Sequence, residues 1–308
     1  MKRPFSILLL FILLLTLSAC GGQLRENDTD TLTVAVSTYP IYLFTTAIAQ
    51  DADNVQVELI VNEPTSCLHD YTLTIQDMKV IEEADVLILN GAGLEAFMED
   101  ALAHSTAQVI SCDRGISLLT AEGHDHEHEH DHGHSHDHED DPHFWLSPRC
   151  AAQMLSTIAE GLSAANPTNS EYYTQNLVAA LEELSQLESH QAEVVALDHT
   201  EFITFHDGFR YFARDCDLHL LRSIEEEEGS EASAAELVEI VKLIREHRVA
   251  AIFTEVNGSG SAAGTIARET GVAVGSLNMI MSGTGSGMRP YLDAMHTNYD
   301  TILAVLGG

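Results

Sequence analysis

Apolar positions along the chain follow two rhythms. Short runs of four to seven apolar or alternating residues read as strands, and stretches with apolar residues every three or four positions read as helices. "LTVAVS" (32–37), "VQVELIV" (55–61), "DVLILN" and "QVISC" are strands, separated by helices in "IYLFTTAIAQ", "TIQDMKVIEEA" and "LEAFMEDAL". The same alternation returns in the second half. "EFITF", "LHLLRS", "AAIFT" and "VAVGSL" are strands, with helices in "GFRYFARD", "AAELVEIVKLIREH", "AAGTIARET" and "RPYLDAMHTNYDTILAVL". Strand–helix alternation implies a mostly parallel sheet covered on both faces.

Between the halves, Ser147 and Pro148 are placed to cap one helix, and a longer one begins near Ser170. Tyr173, Leu177, Leu181, Leu184 and Leu187 keep helical spacing, with no Gly or Pro between Ser170 and Thr200. Some 25 residues at ~1.5 Å each make a rod of roughly 38 Å, enough to cross a whole domain. The expected fold class is α/β: two lobes, each a mostly parallel sheet flanked by helices, joined by one long linking helix. The expected boundaries are a leader over 1–19, a tether over 20–30, a first lobe over 31–165, the linking helix over 166–198 and a second lobe over 199–308.

The first residues stand outside this pattern. Lys2 and Arg3 precede an apolar run over 7–17 that is too short to span a bilayer, and "LSAC" with "GG" follows. The segment resembles a bacterial lipobox, which implies export, lipidation of Cys20 and a polar tether to Asp30. The alternative is an ordinary secretory leader. Four cysteines remain, Cys67, Cys112, Cys150 and Cys216. In an exported chain they form disulfides, with Cys67–Cys112 the expected pair, or stay as buried thiols.

Charge narrows the partners. The 308 residues hold 14 Lys+Arg against 48 Asp+Glu, a formal net charge of −34. Such a chain repels nucleic acid and draws cations over its surface. Mean hydropathy near zero argues against an integral membrane protein.

A low-complexity tract over 123–140 interrupts the first lobe. His124, His126, His128, His130, His132, His134, His136 and His138 alternate with acids, glycines and a serine. This pattern has no apolar face, so the tract reads as a loop that is either a solvated spacer or an auxiliary collector of metal. Its "HEHEH" matches a metalloprotease pattern only through repetition, and "GSGSAAG" lacks dinucleotide spacing. "EEEE" over 225–228 reads as a solvated acidic loop.

Three isolated histidines fall where strands meet loops: His69 in "TSCLHDYT", His143 in "DPHFWLSP" and His206 in "FITFHDGF". Ligands of parallel α/β sheets bind beyond the carboxyl ends of strands, and three imidazoles suit zinc. Two come from the first lobe and one from the second, so a shared site lies between lobes. Each alone is more ordinarily a hydrogen-bonded surface residue. His104, His190, His199, His219, His247 and His296 are left under that reading.

"CLHDYTLTIQDM", "ADVLILNGAGLEAFM", "DPHFWLSP", "FITFHDGFRYFA" and "TEVNGSGSAAGTIARETG" together resemble the zinc-binding solute receptors of bacterial ABC importers, from about Leu32 to the end. The resemblance implies two lobes bridged by a rigid helix, with His69, His143 and His206 as metal ligands and the His-rich insert as auxiliary. Manganese-binding relatives commonly carry a carboxylate at the position of His206, so a nitrogen there favours zinc. The fourth ligand stays open among water, Asn278, Glu255 and a histidine of the tract. Leu68 stands where another zinc subfamily has glutamate.

The expected function is an extracytoplasmic, lipid-anchored receptor, not an enzyme, that hands Zn²⁺ to a membrane permease driven by an ATPase. Small lobe motions are expected, because the helical bridge limits opening. Alternatives are a manganese or iron receptor, a secreted zinc hydrolase, and an adhesin role beside transport.

Overall fold

The computed structural model describes residues 31–62, 68, 71–120, 140–225, 233–256 and 260–307. Cys20, Cys67, His69, the eight alternating histidines, most of the acidic run and part of the "GSGSAAG" stretch lie outside them.

The first half forms a sheet of β1 (Leu32–Val36), β2 (Val55–Leu59), β3 (Val86–Leu89) and β4 (Gln108–Ser111). All pairings are parallel, in the order β2-β1-β3-β4. Helices α1 (Tyr39–Ile48), α2 (Ile75–Glu83) and α3 (Glu99–His104) connect them. β3, "VLIL", is buried along its whole length, as a central parallel strand covered on both faces should be. Thr74 and Asp77 close a capping box at the start of α2.

The second sheet repeats the arrangement. β5 (Glu201–His206), β6 (His219–Glu225), β7 (Ala251–Glu255) and β8 (Ala273–Leu277) are parallel in the order β6-β5-β7-β8. α4 (Pro148–Ala165), α5 (Ser170–Ser185) and α6 (Leu187–Val195) precede it. α7 (Arg210–Asp215), α8 (Ala234–His247) and α9 (Ser261–Thr270) connect its strands, and α10 (Met288–Leu306) follows β8. α8 starts at a capping box of Ser233 and Glu236, legible as "SAAE", and ends at Arg248 in the left-handed region.

The expected linking rod is α5 and α6, interrupted at one residue. Gln186 N donates to Glu183 O, a three-residue step, while Ser185 Oγ bonds back to Glu182 O. Gln186 keeps right-handed dihedrals (φ −63°, ψ −21°), so the backbone continues through the break.

In each sheet the strand order reverses once, between β1 and β3 and between β5 and β7. Such switch points open a crevice at the carboxyl ends of the strands. His206 is the last residue of β5 and Glu255 the last of β7.

One hydrophobic cluster runs through both halves and includes Ile41, Phe44, Trp145, Phe202, Tyr291 and Met295. A smaller cluster, with Ile203, Phe205, Ile240, Ile252 and Ile266, lies under α8 and α9. Alternation along β5 sends Phe202 to the first and Ile203 to the second. The expected Cys67–Cys112 disulfide does not form: Cys112, just after β4, is a buried free thiol, as are Cys150 and Cys216. Burial pushes the Cys112 thiol well above its ordinary pKa, helped by Glu95 and Asp113, so it is inert.

Candidate metal centre

The segment 140–147 carries the site. Its entry is fixed by an isolated antiparallel bridge between Thr120 and Asp140 and by Asp141 N donating to Leu119 O at 2.7 Å. Thr120 and Asp140, which flank the His-rich insert, therefore lie side by side. Pro142 O accepts from Asn90 Nδ2 at 2.9 Å. Asn90 follows β3 and is itself held by buried Glu95, whose carboxyl accepts from Ser37 Oγ (2.6 Å), Asn90 N (2.7 Å) and Gly91 N (3.0 Å). Burial raises the Glu95 pKa against these hydrogen bonds.

His143 does not follow a strand, as the sequence suggested. It stands at the start of a 3₁₀ turn, Phe144–Leu146. The second lobe grips this turn directly. Trp145 Nε1 donates to Met279 O at 2.8 Å, and Tyr291 OH donates to Trp145 O at 2.8 Å. Tyr211 OH donates to Asp141 O (2.9 Å) and accepts from Leu119 N (2.8 Å), so one hydroxyl of α7 ties both ends of the insert. Ser147 and Asp215 add a further side-chain bond between the halves.

This grip brings His143 against His206. Their Nε2 atoms lie 3.4 Å apart, with ring planes at 89°. Both histidines are buried, at 6% and 3% exposure. Each has a carboxylate at its other ring nitrogen. Asp141 Oδ1 is 2.8 Å from His143 Nδ1 and also accepts from His143 N at 2.9 Å. Glu255 Oε1 is 3.6 Å from His206 Nδ1, an ion-pair distance rather than a hydrogen bond. Two nitrogens bound to a tetrahedral zinc at about 2.0–2.1 Å are about 3.3 Å apart, so the 3.4 Å spacing is that of two corners of such a site. A carboxylate behind each imidazole is the outer partner that orients a metal-bound histidine.

The other expected ligands fare differently. His69 lies outside the described residues, though its neighbour Leu68 is buried in the core. Glu255 stands behind the His206 ring, away from the Nε2 that faces His143. Asn278 is engaged in backbone support. Its Oδ1 accepts from Ile280 N (2.8 Å), and Asn298 brackets its own N and O. Asp141 was missed in the sequence, although a carboxylate two residues before His143 in "DPH" was visible. Tyr211 and Trp145 carried no such signal, since only the fold brings α7 and β8 to this turn.

A family model described as "Zinc-uptake complex component A periplasmic", ZnuA, matches residues 34–305. The chain belongs to the ZnuA family. It is 31% identical over 303 residues to the zinc-binding lipoprotein AdcA of Streptococcus pneumoniae, covering 96% of this chain. The chain spans 60% of the length of that relative. It is 30% identical to the high-affinity zinc uptake system protein ZnuA of Bacillus subtilis, over 94% of this chain and 93% of the relative. The two-lobe fold matches a crystal structure of ZnuA with a TM-score of 0.74 and 29% identity, covering 90% of this chain and 100% of that one. The family's paired parallel sheets are those described above. No helix among the described residues is long and apolar enough to cross a membrane.

Proposed function

We propose that the chain is an extracytoplasmic zinc receptor that binds Zn²⁺ between its lobes and delivers it to an ABC permease. His143 and His206 coordinate the ion through Nε2, and His69 supplies the third nitrogen. The reading is carried by one observation, the 3.4 Å spacing of two buried imidazole nitrogens that come from different lobes. Family membership and the zinc-binding names of its relatives support it.

Asp141 and Glu255 act behind the ligands. A carboxylate on the far nitrogen orients the ring and raises its basicity, which strengthens the bond to the metal. The fourth position falls to water, since Asn278 Oδ1 already accepts from Ile280 N and Glu255 faces the other side of His206. Three nitrogens and no protein carboxylate in direct contact favour zinc over manganese. The chain's business is capture and transfer rather than catalysis.

Release follows from small shifts. The core is continuous between the halves, and Trp145, Tyr211 and Tyr291 tie them at the metal itself. A tetrahedral site loses affinity when one ligand moves by a fraction of a bond length, so no wide opening is needed. Acylated Cys20 anchors the chain to the outer face of the membrane, and the His-rich insert is an auxiliary collector of ions.

Competitive titration of the full chain with Zn²⁺ and Mn²⁺ tests the reading. Zinc displaces manganese, and His206→Ala loses the tightest zinc site while the weaker sites of the insert remain. Retention of that tightest site in both His143→Ala and His206→Ala would refute the reading.

A further inference from the structure

A second cluster of metal-type donors lies away from the cleft, where α6 packs on α10. His190 Nδ1 stands 2.9 Å from His296 Nδ1, and the rings stack at 29° with centroids 5.2 Å apart. His190 Nε2 is 3.2 Å from Asp300 Oδ1, one helical turn on from His296. The Tyr299 ring packs edge-on against His190 at 5.4 Å. The His190 side chain is 18% exposed and that of Asp300 is 74% exposed, so the pair is shielded but reachable from solvent.

Two ring nitrogens face each other at 2.9 Å only with a proton or a cation between them. The Asp300 carboxylate calls for the His190 proton on Nε2, which leaves Nδ1 as a lone pair aimed at His296. An imidazole with one nitrogen on a carboxylate and the other left as a lone pair is prepared as a metal-bound histidine is. The spacing also fits one coordination geometry better than the other. Two nitrogens bound at about 90° with bonds of about 2.0–2.1 Å are about 2.9 Å apart, whereas tetrahedral neighbours are about 3.3 Å apart. The 2.9 Å at His190 and His296 is the first value, and the 3.4 Å in the cleft is close to the second.

We propose that His190 and His296 form a second, peripheral site for a divalent transition-metal ion of square-planar or octahedral preference, Cu²⁺ or Ni²⁺. Asp300 positions His190. Among the described residues no third His, Cys, Asp or Glu converges on the same point, so water completes the coordination. The ion staples the linking helix to the last helix, and the same α10 carries Tyr291, which holds the turn after His143. The formal charge of −34 raises the local cation concentration for both sites. The proposal is independent of the zinc reading of the cleft.

Crystals of the full chain grown with NiCl₂ and measured on both sides of the nickel edge test it. A nickel peak within about 2.1 Å of both Nδ1 atoms is expected, apart from any peak in the cleft. Nickel elsewhere, with none between His190 and His296, would overturn the proposal and leave the pair as an N–H···N hydrogen bond. In solution, part of the nickel-dependent rise in Tm of the full chain is lost in His190→Gln and in His296→Gln, while zinc binding in the cleft persists. An equal nickel-dependent rise in the wild type and both variants would also overturn it.

Discussion

Asp141 is the residue whose removal tests the site most sharply, because it touches no metal in the proposed arrangement. Its Oδ1 does two jobs: it faces His143 Nδ1 at 2.8 Å and accepts from His143 N at 2.9 Å, with the side chain 2% exposed. In Asp141→Asn an amide oxygen still fits both contacts, so only the charge is lost. Hydrogen bonds to a charged group contribute about 1.5–3 kcal/mol and neutral ones about 0.5–1.5. The difference, about 1–1.5 kcal/mol, corresponds to roughly a tenfold weaker zinc affinity. Asp141→Ala removes the acceptor, leaves buried His143 groups unsatisfied and frees the ring to turn. Loss of such an outer partner typically costs 10- to 100-fold in metal affinity, and the alanine variant belongs at the upper end. Competition against a zinc chelator, with zinc kept below the protein concentration so that the tightest site fills first, measures both. A variant with native circular dichroism and Tm whose Asp141→Ala affinity stayed within twofold of wild type would refute the idea that this carboxylate tunes His143.

Three further outcomes follow from the same geometry. Replacing residues 121–139 with a two-residue turn leaves the fold and the tightest zinc site intact, because Thr120 and Asp140 are already bridged; calorimetry should show one tight site and loss of the weak ones. Gly208→Ala weakens zinc binding with little loss of stability. A Cβ there meets Met279 Cε, and His206 Cδ2 at 3.1 Å; the methionine tip can yield while the histidine ring is pushed off its bond direction, which chelator competition would detect. The Tyr211 hydroxyl, its pKa pushed up to about 12 mainly by burial, links stability to pH. Its folded pKa lies above the ordinary value of 10, so its contribution is complete below pH 10 and declines as pH rises toward 12. Tyr211→Phe should flatten that part of an alkaline denaturation curve and cost about 1 kcal/mol at neutral pH; an unchanged curve would rule out this role.

Residues local in sequence were legible because their physics is local. Strand and helix periods, the Ser147–Pro148 cap of α4 and the unbroken apolar spacing from Ser170 each depend on neighbours within a few positions. They were enough to reveal two repeated α/β halves and a helical link, missing only the three-residue step at Gln186. His143 and His206 were likewise visible as isolated histidines beside loops, and the blocks around them carried the family resemblance.

What the sequence could not show is which groups face each other across the molecule. The 3.4 Å approach of His143 to His206 depends on Tyr211, Trp145 and Tyr291 pulling the 3₁₀ turn against the second lobe, through contacts 70 to 146 residues apart. The face of His206 that Glu255 takes, 3.6 Å from Nδ1, was likewise set by packing between strands. His190 and His296 read as ordinary surface histidines, 106 positions apart, until α6 packed on α10. Patterning along a chain records how each segment buries its own apolar side. The distance between two ring nitrogens is settled only when separate segments pack into one core.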